Sequence, residues 1–444
     1  MPTTSAASGT WATTARLLRR AGFGATGAEV DAADRLGAGA WLEQALRADP
    51  AADPAARSTP PPSIAPLQRA GKGATREQRQ AVNRTVAASR KQLLGWWLQR
   101  MATTGQPLTE KLTFGWHDHF ATDVHKVRDA RLMLAQNATL RRLGRGSFTD
   151  LARALAVDPA MLVWLDGRLS TAKAPNENLA REFMELFALG HGNGYTEQDV
   201  REGARALTGW TVDGTSARFV ARRHDDGSKT VLGRTGDLDT DGYVDAVLAA
   251  PASAGFVATR WWQRLVSPTP PGADRLAALT AAYGPRRDLT ALFRGLLTTV
   301  LDDPSVAGTL VVTPVEWTVG AVRALRVPLG GEEGAKHLAL VTSTLNQLGQ
   351  VPFSPPNVSG WPSGQAWLST AAAQNRLEAA TRLAAAGDLD AVASAPQASR
   401  VDAVAHLLAI PTLTDRTVVG LRAVASDPRR LVAAALVSPE YLTA

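Results

Sequence analysis

Residues Pro175 to Trp210 read PNENLAREFMELFALGHGNGYTEQDVREGARALTGW, and their spacing decides the fold class. Proline and asparagine at 175–178 suit a helix start. Leu179, Phe183, Leu186 and Phe187 then recur on one helical arc. HGNGY supplies glycines for a tight turn. Thr196 and Asp199 fit a capping box for a second helix, whose buried face is Val200, Ala204 and Leu207. The stretch therefore reads as two helices joined by a turn, with no strand periodicity.

The same periodicity extends outward. Thr26 and Glu29 cap a short helix that ends near Gly37, and another runs from about Gly39 to Ala48. A long helix is expected from about Glu77 to Met101, then one from Leu108 to about Phe120. Others are expected at 127–142, 148–156, 176–189, 197–209, 241–249, 251–266, 272–282, 287–299, 315–327 and 335–348. The last third reads as helical at 370–386, 400–408, 413–424 and 427–437. Strand signals are confined to Arg218–Ala221 and Thr230–Leu232, expected to pair as a small hairpin across HDDGSK, and to an ambiguous GTLVVTP at 308–314. There is no GxGxxG, no P-loop and no strand–helix alternation. The expectation is a predominantly helical, all-α fold in a single unit over residues 1–444. Residues 49–75, rich in proline and alanine, read as a flexible insert with no role beyond connection.

Composition narrows the chemistry. Hydrophobic residues are 45% and charged residues 20%, as in folded domains. The absence of cysteine excludes disulfides, thiolate metal sites and cysteine nucleophiles. The formal charge is +7, mostly arginine dispersed along helices, without the aromatic-interleaved surface of a nucleic-acid binder. No window of 18 apolar residues suggests a membrane span. The start MPTTSAASGTWATTARLLRRAGFG has no apolar core, so the default location is the cytoplasm, with export left open if the start is misassigned. A monomer or weak oligomer is expected.

Five groups of residues carry chemistry. In Trp116-His117-Asp118-His119, two histidines flank an acid and suggest metal ligation. Positions two apart on a helix point about 200° away from each other, however. His119 continues the stripe of Leu108, Leu112 and Trp116, as a core histidine would. His117 lies on the line of Glu110 and Thr113, the solvent-facing candidate for proton transfer. Glu177, Arg181 and Glu185 form an exposed ladder. Glu182 falls at the border of the apolar arc, where a carboxylate must be paired, metal-bound or raised in pKa; Arg205 or Arg201 is its expected partner. Arg223 to Thr230 places His224 and Asp225 near an Asp-Gly turn, without calcium-loop spacing. The extended loop PFSPPNVSGWP, from Pro352 to Pro362, reads as a core plug or a pocket wall. Glu316 and Trp317 repeat the acid–aromatic pairing at a helix start. There is no GxSxG or HExxH pattern to support a serine hydrolase of that type or a zincin.

LLRRAGFG, EKLTFGWHDHFAT, PNENLAREFMELFALG, YTEQDVREGARALTGW, HDDGSKTVLG, FVATRWWQRLVSP, PPNVSGWPSG and LVSPEYL together resemble the bacterial domain-of-unknown-function family numbered 1800, over essentially the whole chain. The resemblance brings no catalytic role. It implies relatives with export signals, and a protein partner resembling the sulfatase and alkaline phosphatase class. It also marks Asp118 as a departure, since relatives often carry asparagine there. The residues themselves support a hydrolase or lyase with Glu182 as acid, base or ligand, His117 as proton shuttle and Arg205 holding an anion. A divalent metal would be held among His117, His119, Glu182, His224 and Asp225. The alternative is a non-catalytic scaffold or maturation partner of a separately encoded enzyme. Under the enzyme reading, His117, Glu182, Arg205 and His224 should converge in one cleft.

Overall fold

The computed structural model describes residues 9–68 and 70–444; the opening MPTTSAAS, on which part of the reading of the start rests, lies outside the described residues. Helices dominate, and only two small two-stranded antiparallel sheets accompany them among the described residues. The expected caps form: Thr26 with Glu29 and Thr196 with Asp199 each close a reciprocal capping box. No helix among the described residues is long and apolar enough to cross a membrane.

The helix expected at 176–189 changes winding part-way. Glu177–Glu182 is α-helical, and Phe183–Ala188 is a π-helix in which Leu189 N donates to Met184 O at 2.8 Å. The apolar residues explain the change. Leu179, Phe183 and Phe187 are all buried and recur every four positions. Four residues of α-helix overshoot a full turn by about 40°, so a wider turn returns Phe187 to the core face.

The small sheets differ from the expected pairing. Trp210–Asp213 pairs with Ser216–Phe219, and Lys229–Val231 pairs with Arg234–Gly236. The second hairpin turns at Leu232 and Gly233, both at positive φ (48° and 79°). HDDGSK does not turn a hairpin; it is a loop fixed by Asp225, described below. The ambiguous segment 308–314 runs alongside residues 442–444: Val312 N donates to Leu442 O at 2.9 Å and Ala444 N to Leu310 O at 2.8 Å.

The buried apolar residues form two clusters, and the helix Pro107–His119 contributes to both. Leu108, Leu112 and Trp116 enter one, Phe114 the other. With both faces covered, its polar residues are buried too. Glu110 is 0% exposed, the opposite of the solvent-facing position expected for its line. Its carboxylate accepts from Arg100 Nε at 2.9 Å, Arg141 Nε at 2.7 Å and Trp97 Nε1 at 3.0 Å. Arg100 also reaches Asp53 at 3.5 Å. Asp53 caps the short helix Pro54–Ser58 and accepts from Gly105 N at 3.0 Å and Thr104 Oγ1 at 2.5 Å. The 49–75 segment thus does more than connect: its buried aspartate joins the same charge network.

This network generates a stability prediction. Removing Glu110 leaves Arg100 and Arg141 facing each other without their shared anion, so Glu110→Ala should cost about 3–5 kcal/mol in urea melts. Glu177→Ala, on the exposed ladder, should cost well under ~1 kcal/mol. Equal, small losses would show that Glu110 is not the buried hub.

Candidate functional site

The residues singled out in the sequence fall into three places. His117 and His119 both sit in the helix Pro107–His119 but enter opposite sides. His117 is 1% exposed, between the rings of Trp97, Phe353 and Trp361, and its Nε2 accepts from Phe353 N at 2.9 Å. It is not solvent-facing, because the Pro352–Pro362 loop covers it. Desolvation lowers its pKa to about 3, so the ring is neutral. His119 packs among Trp116, Phe120 and Phe187, as its apolar stripe predicts, and its Nε2 lies 2.9 Å from Phe187 O in the π-helix. Burial, then Arg264 and Arg260, hold its pKa well below the usual histidine range.

Glu182 is half-buried at the α-to-π junction. Burial, then the neighbouring Glu185, raise its pKa, and Arg181 partly offsets them. The expected partners are engaged elsewhere. Arg205 Nε lies 2.7 Å from Asp225 Oδ2 and its Nη1 2.7 Å from Glu202 Oε2, while Arg201 bonds Gln198. Arg205, Asp225 and His224 do come together: Asp225 N donates to Thr208 Oγ1 at 2.8 Å, and His224 Nδ1 lies 2.9 Å from Thr208 O. They clasp the HDDGSK loop to the end of the helix Glu197–Ala206. Among the described residues no three histidine, aspartate or glutamate side chains form a group able to hold a metal ion. The five expected ligands, His117, His119, Glu182, His224 and Asp225, are therefore not assembled around one point.

A different site stands out on geometry. A cavity of about 560 Å³ lies between the helix Pro107–His119, the helix Ala252–Leu265, residues 308–313, residues 361–365 and the 441–444 segment. None of His117, Glu182, Arg205 and His224 lines it, so the expected convergence is not seen there. Its lining carries five cationic side chains, Arg19, Arg20, Lys111, Arg260 and Arg264, against two carboxylate side chains, Asp118 and Glu316.

Both carboxylates are already committed. Asp118 Oδ2 pairs with Arg264, and its Oδ1 accepts from Trp361 N at 2.8 Å. Glu316 pairs with Lys111 and caps its own helix, accepting from Thr313 N at 2.9 Å. Arg19 is held by the main-chain oxygens of Glu440, Tyr441 and Thr443, and Arg20 by those of Leu265, Val266, Val306 and Ala444. Carbonyl dipoles hold the Arg19 guanidinium without neutralising it. Burial lowers the pKa of Arg19 and Arg20 to about 10 and about 9 respectively, still well above neutrality.

Arg260 is the unsatisfied member. It sits one helical turn before Arg264 and has no carboxylate of its own, and its Nε, like that of Arg20, has no hydrogen-bond partner. Asp118, the one carboxylate that influences it, is bound to Arg264. The Arg264 charge, then burial, lower its pKa to about 10. Arg264 is fixed by Gly115 O at 2.8 Å and lies over the Trp261 ring at 5.8 Å. The 361–365 wall is pinned by a close approach. Gly360 has φ 86°, and a Cβ there would fall 2.2 Å from Asp118 Oδ1. The Pro352–Pro362 loop is thus both a plug, through Phe353, and a pocket wall, through Trp361. The sequence signal for this site was the four-residue spacing of Arg260 and Arg264 in FVATRWWQRLVSP, which places two like charges on one face.

The histidines give a pH prediction. His117 titrates near 6.5 when unfolded but near 3 when folded. The unfolded chain therefore takes up its proton first as pH falls. The stability this neutral ring supports is complete above about pH 6.5 and is lost as pH drops toward 3, by about 2 kcal/mol between pH 7 and pH 5. Urea melts at the two pH values should show His117→Gln losing about 2 kcal/mol less than the unchanged protein over that interval. An undiminished loss would mean that His117 is protonated in the folded state.

No curated protein and no solved structure matches the chain. A family model described as a protein of unknown function (DUF1800) does match, over residues 16–443. The long motifs noted in the sequence all fall within, or overlap, that span, and the chain belongs to this family.

Proposed function

We propose that the chain binds an anionic small molecule in the basic cavity, with Arg260 and Arg264 as the anion-holding pair. The observation that carries this reading is Arg260: a largely enclosed guanidinium beside a second arginine, with its Nε unpartnered and the nearest carboxylate bound elsewhere. Such an arrangement costs stability in the empty protein and is relieved by an anion. Arg19 adds to the pull, since its hydrogen bonds go to main-chain carbonyls. A hydrolase or lyase acting on that ligand would draw its acid or base from Asp118 or Glu316, and each is tied to a cation. The reading is therefore one of binding first, and a carrier or scaffold role for a partner enzyme is compatible with it. It also takes the chain as one folded unit, in keeping with the contacts of Arg19 and Arg20 to residues 440–444.

Arg260→Met tests this directly. Relieving the like-charge pair should stabilise the empty protein by about 0.5 kcal/mol. The same change should abolish the rise in melting temperature that inorganic phosphate gives the unchanged protein, a rise worth about 2.7 kcal/mol at a hundred times the dissociation constant. Arg205→Met, in the clasp, should leave the phosphate response intact. A phosphate response that survives Arg260→Met, or no response at all, would overturn the assignment.

A further inference from the structure

Arg260 and Arg264 occupy only one end of the cavity, and the helix Pro107–His119 measures its length. Lys111 and Asp118 both line it and stand two turns apart, about 10 Å along that helix. Asp118 holds Arg264 and is the carboxylate that acts on Arg260. Lys111 holds Glu316, which acts on Arg20, the neighbour of Arg19. The cations therefore form two groups, one toward each end. Each group keeps one guanidinium that meets no carboxylate, Arg260 at the Asp118 end and Arg19 at the Lys111 end. Arg19 is 7% exposed, and all three of its carbonyl bonds leave from Nη2. Among the described residues its Nε and Nη1 have no acceptor. Gln350 adds a donor at the same end: its Oε1 accepts from Val315 N, beside Glu316, at 2.9 Å, which leaves its NH₂ group free.

The acceptors of the lining, by contrast, are largely taken. Asp118 and Glu316 are each bound at both oxygens. Ala444 N takes Leu310 O, Arg20 takes Leu265 O, and Arg19 takes Tyr441 O and Thr443 O. A wall with spare donors and few spare acceptors selects a ligand rich in acceptors, which is the nature of ionised oxyanions. Hydroxyl groups would bring hydrogens that find no acceptor there. A single oxyanion would neutralise one end and leave the other charged. At about 560 Å³ the cavity is in the size range of sites for whole organic ligands, so both ends can be reached by one molecule.

Resting on that anion-binding reading, we infer that the ligand is a linear dianion, two oxyanion groups joined by a short spacer, one held by Arg260 and Arg264 and the other by Arg19 with the Gln350 amide. Dicarboxylates and linear polyphosphates share this chemistry and differ in the atom that carries the oxygens.

Titration calorimetry on the full chain at fixed ionic strength reads the two-point contact. One set of probes is the dicarboxylates from malonate to pimelate, equal in charge and differing in length, against acetate. The other is pyrophosphate and tripolyphosphate against inorganic phosphate. Either one dicarboxylate length should bind about tenfold or more tighter than malonate and acetate, or a polyphosphate should exceed phosphate by as much. The class that shows this advantage identifies the oxyanion. Arg19→Met should reduce the advantage about tenfold while acetate and phosphate bind as before. Thermal melts show whether that variant is folded. If it is not, Gln350→Glu, which keeps an acceptor for Val315 N and sets an acid beside Arg19, should remove the advantage in the same way. Dicarboxylates that bind alike at every length and no tighter than acetate, with polyphosphates no tighter than phosphate, would overturn the dianion and leave the anion site standing. So would an advantage that the folded variant leaves intact. If no anion binds, the anion site itself fails and the dianion falls with it.

Discussion

A carboxylate with no access to water organises much of this protein. Glu110 lies in a helix covered on both faces, and charge in such a place is tolerable only with close, well-aligned counter-charges. Arg100 and Arg141 supply them from two neighbouring helices, and Trp97 completes the shell. The same enclosure sets the terms for every polar residue along the helix. Lys111 must find Glu316, His117 must find the Phe353 amide, Asp118 must find Arg264 and Trp361, and His119 must find a carbonyl in the π-helix. Each of these partners comes from a distant part of the chain. Satisfying one buried helix thereby draws together the walls of the cavity.

The positive character of that cavity follows from how its cations are satisfied. A guanidinium that meets a carboxylate is neutralised; one that meets carbonyl oxygens is only solvated by the protein in place of water. Arg19 belongs to the second kind, whereas Lys111 and Arg264 belong to the first. Arg260 belongs to neither in full. A low-dielectric wall around such a group strengthens its field, since less water is present to screen it.

Much of the fold was legible because its causes are local. Apolar spacing located the helices, and the boxes at Thr26 and Thr196 formed as their residue types require. The hairpin was misread because Asp226-Gly227 is the stronger turn signal, while the actual turn places Leu232 at positive φ, a conformation its residue type disfavours. The opposed directions of His117 and His119 also followed from helix geometry. What could not be read was which faces would be covered twice. Glu110 and His117 look solvent-facing from one helix alone, and only the second cluster buries them. The expected pair of Glu182 with Arg205 failed for a related reason. Asp225, remote in sequence, arrives through a loop whose position no periodicity encodes. The cavity arginines carried a local signal in their spacing, but their missing counter-charge is a tertiary fact.

The anchoring of Arg19 has a consequence for the order of folding. Its acceptors lie 421 to 424 positions further along the chain, and those of Arg20 begin 245 positions on. During synthesis the helix Gly9–Ala21 therefore emerges with two adjacent cations, Arg19 and Arg20, that cannot yet be buried. It must stay hydrated, or be shielded, until residues 440–444 arrive. Closing so long a loop adds little entropy cost beyond that of a moderately long one, but contacts so remote in sequence form late. The helix Gly9–Ala21, made before its partners, would be among the last elements to settle.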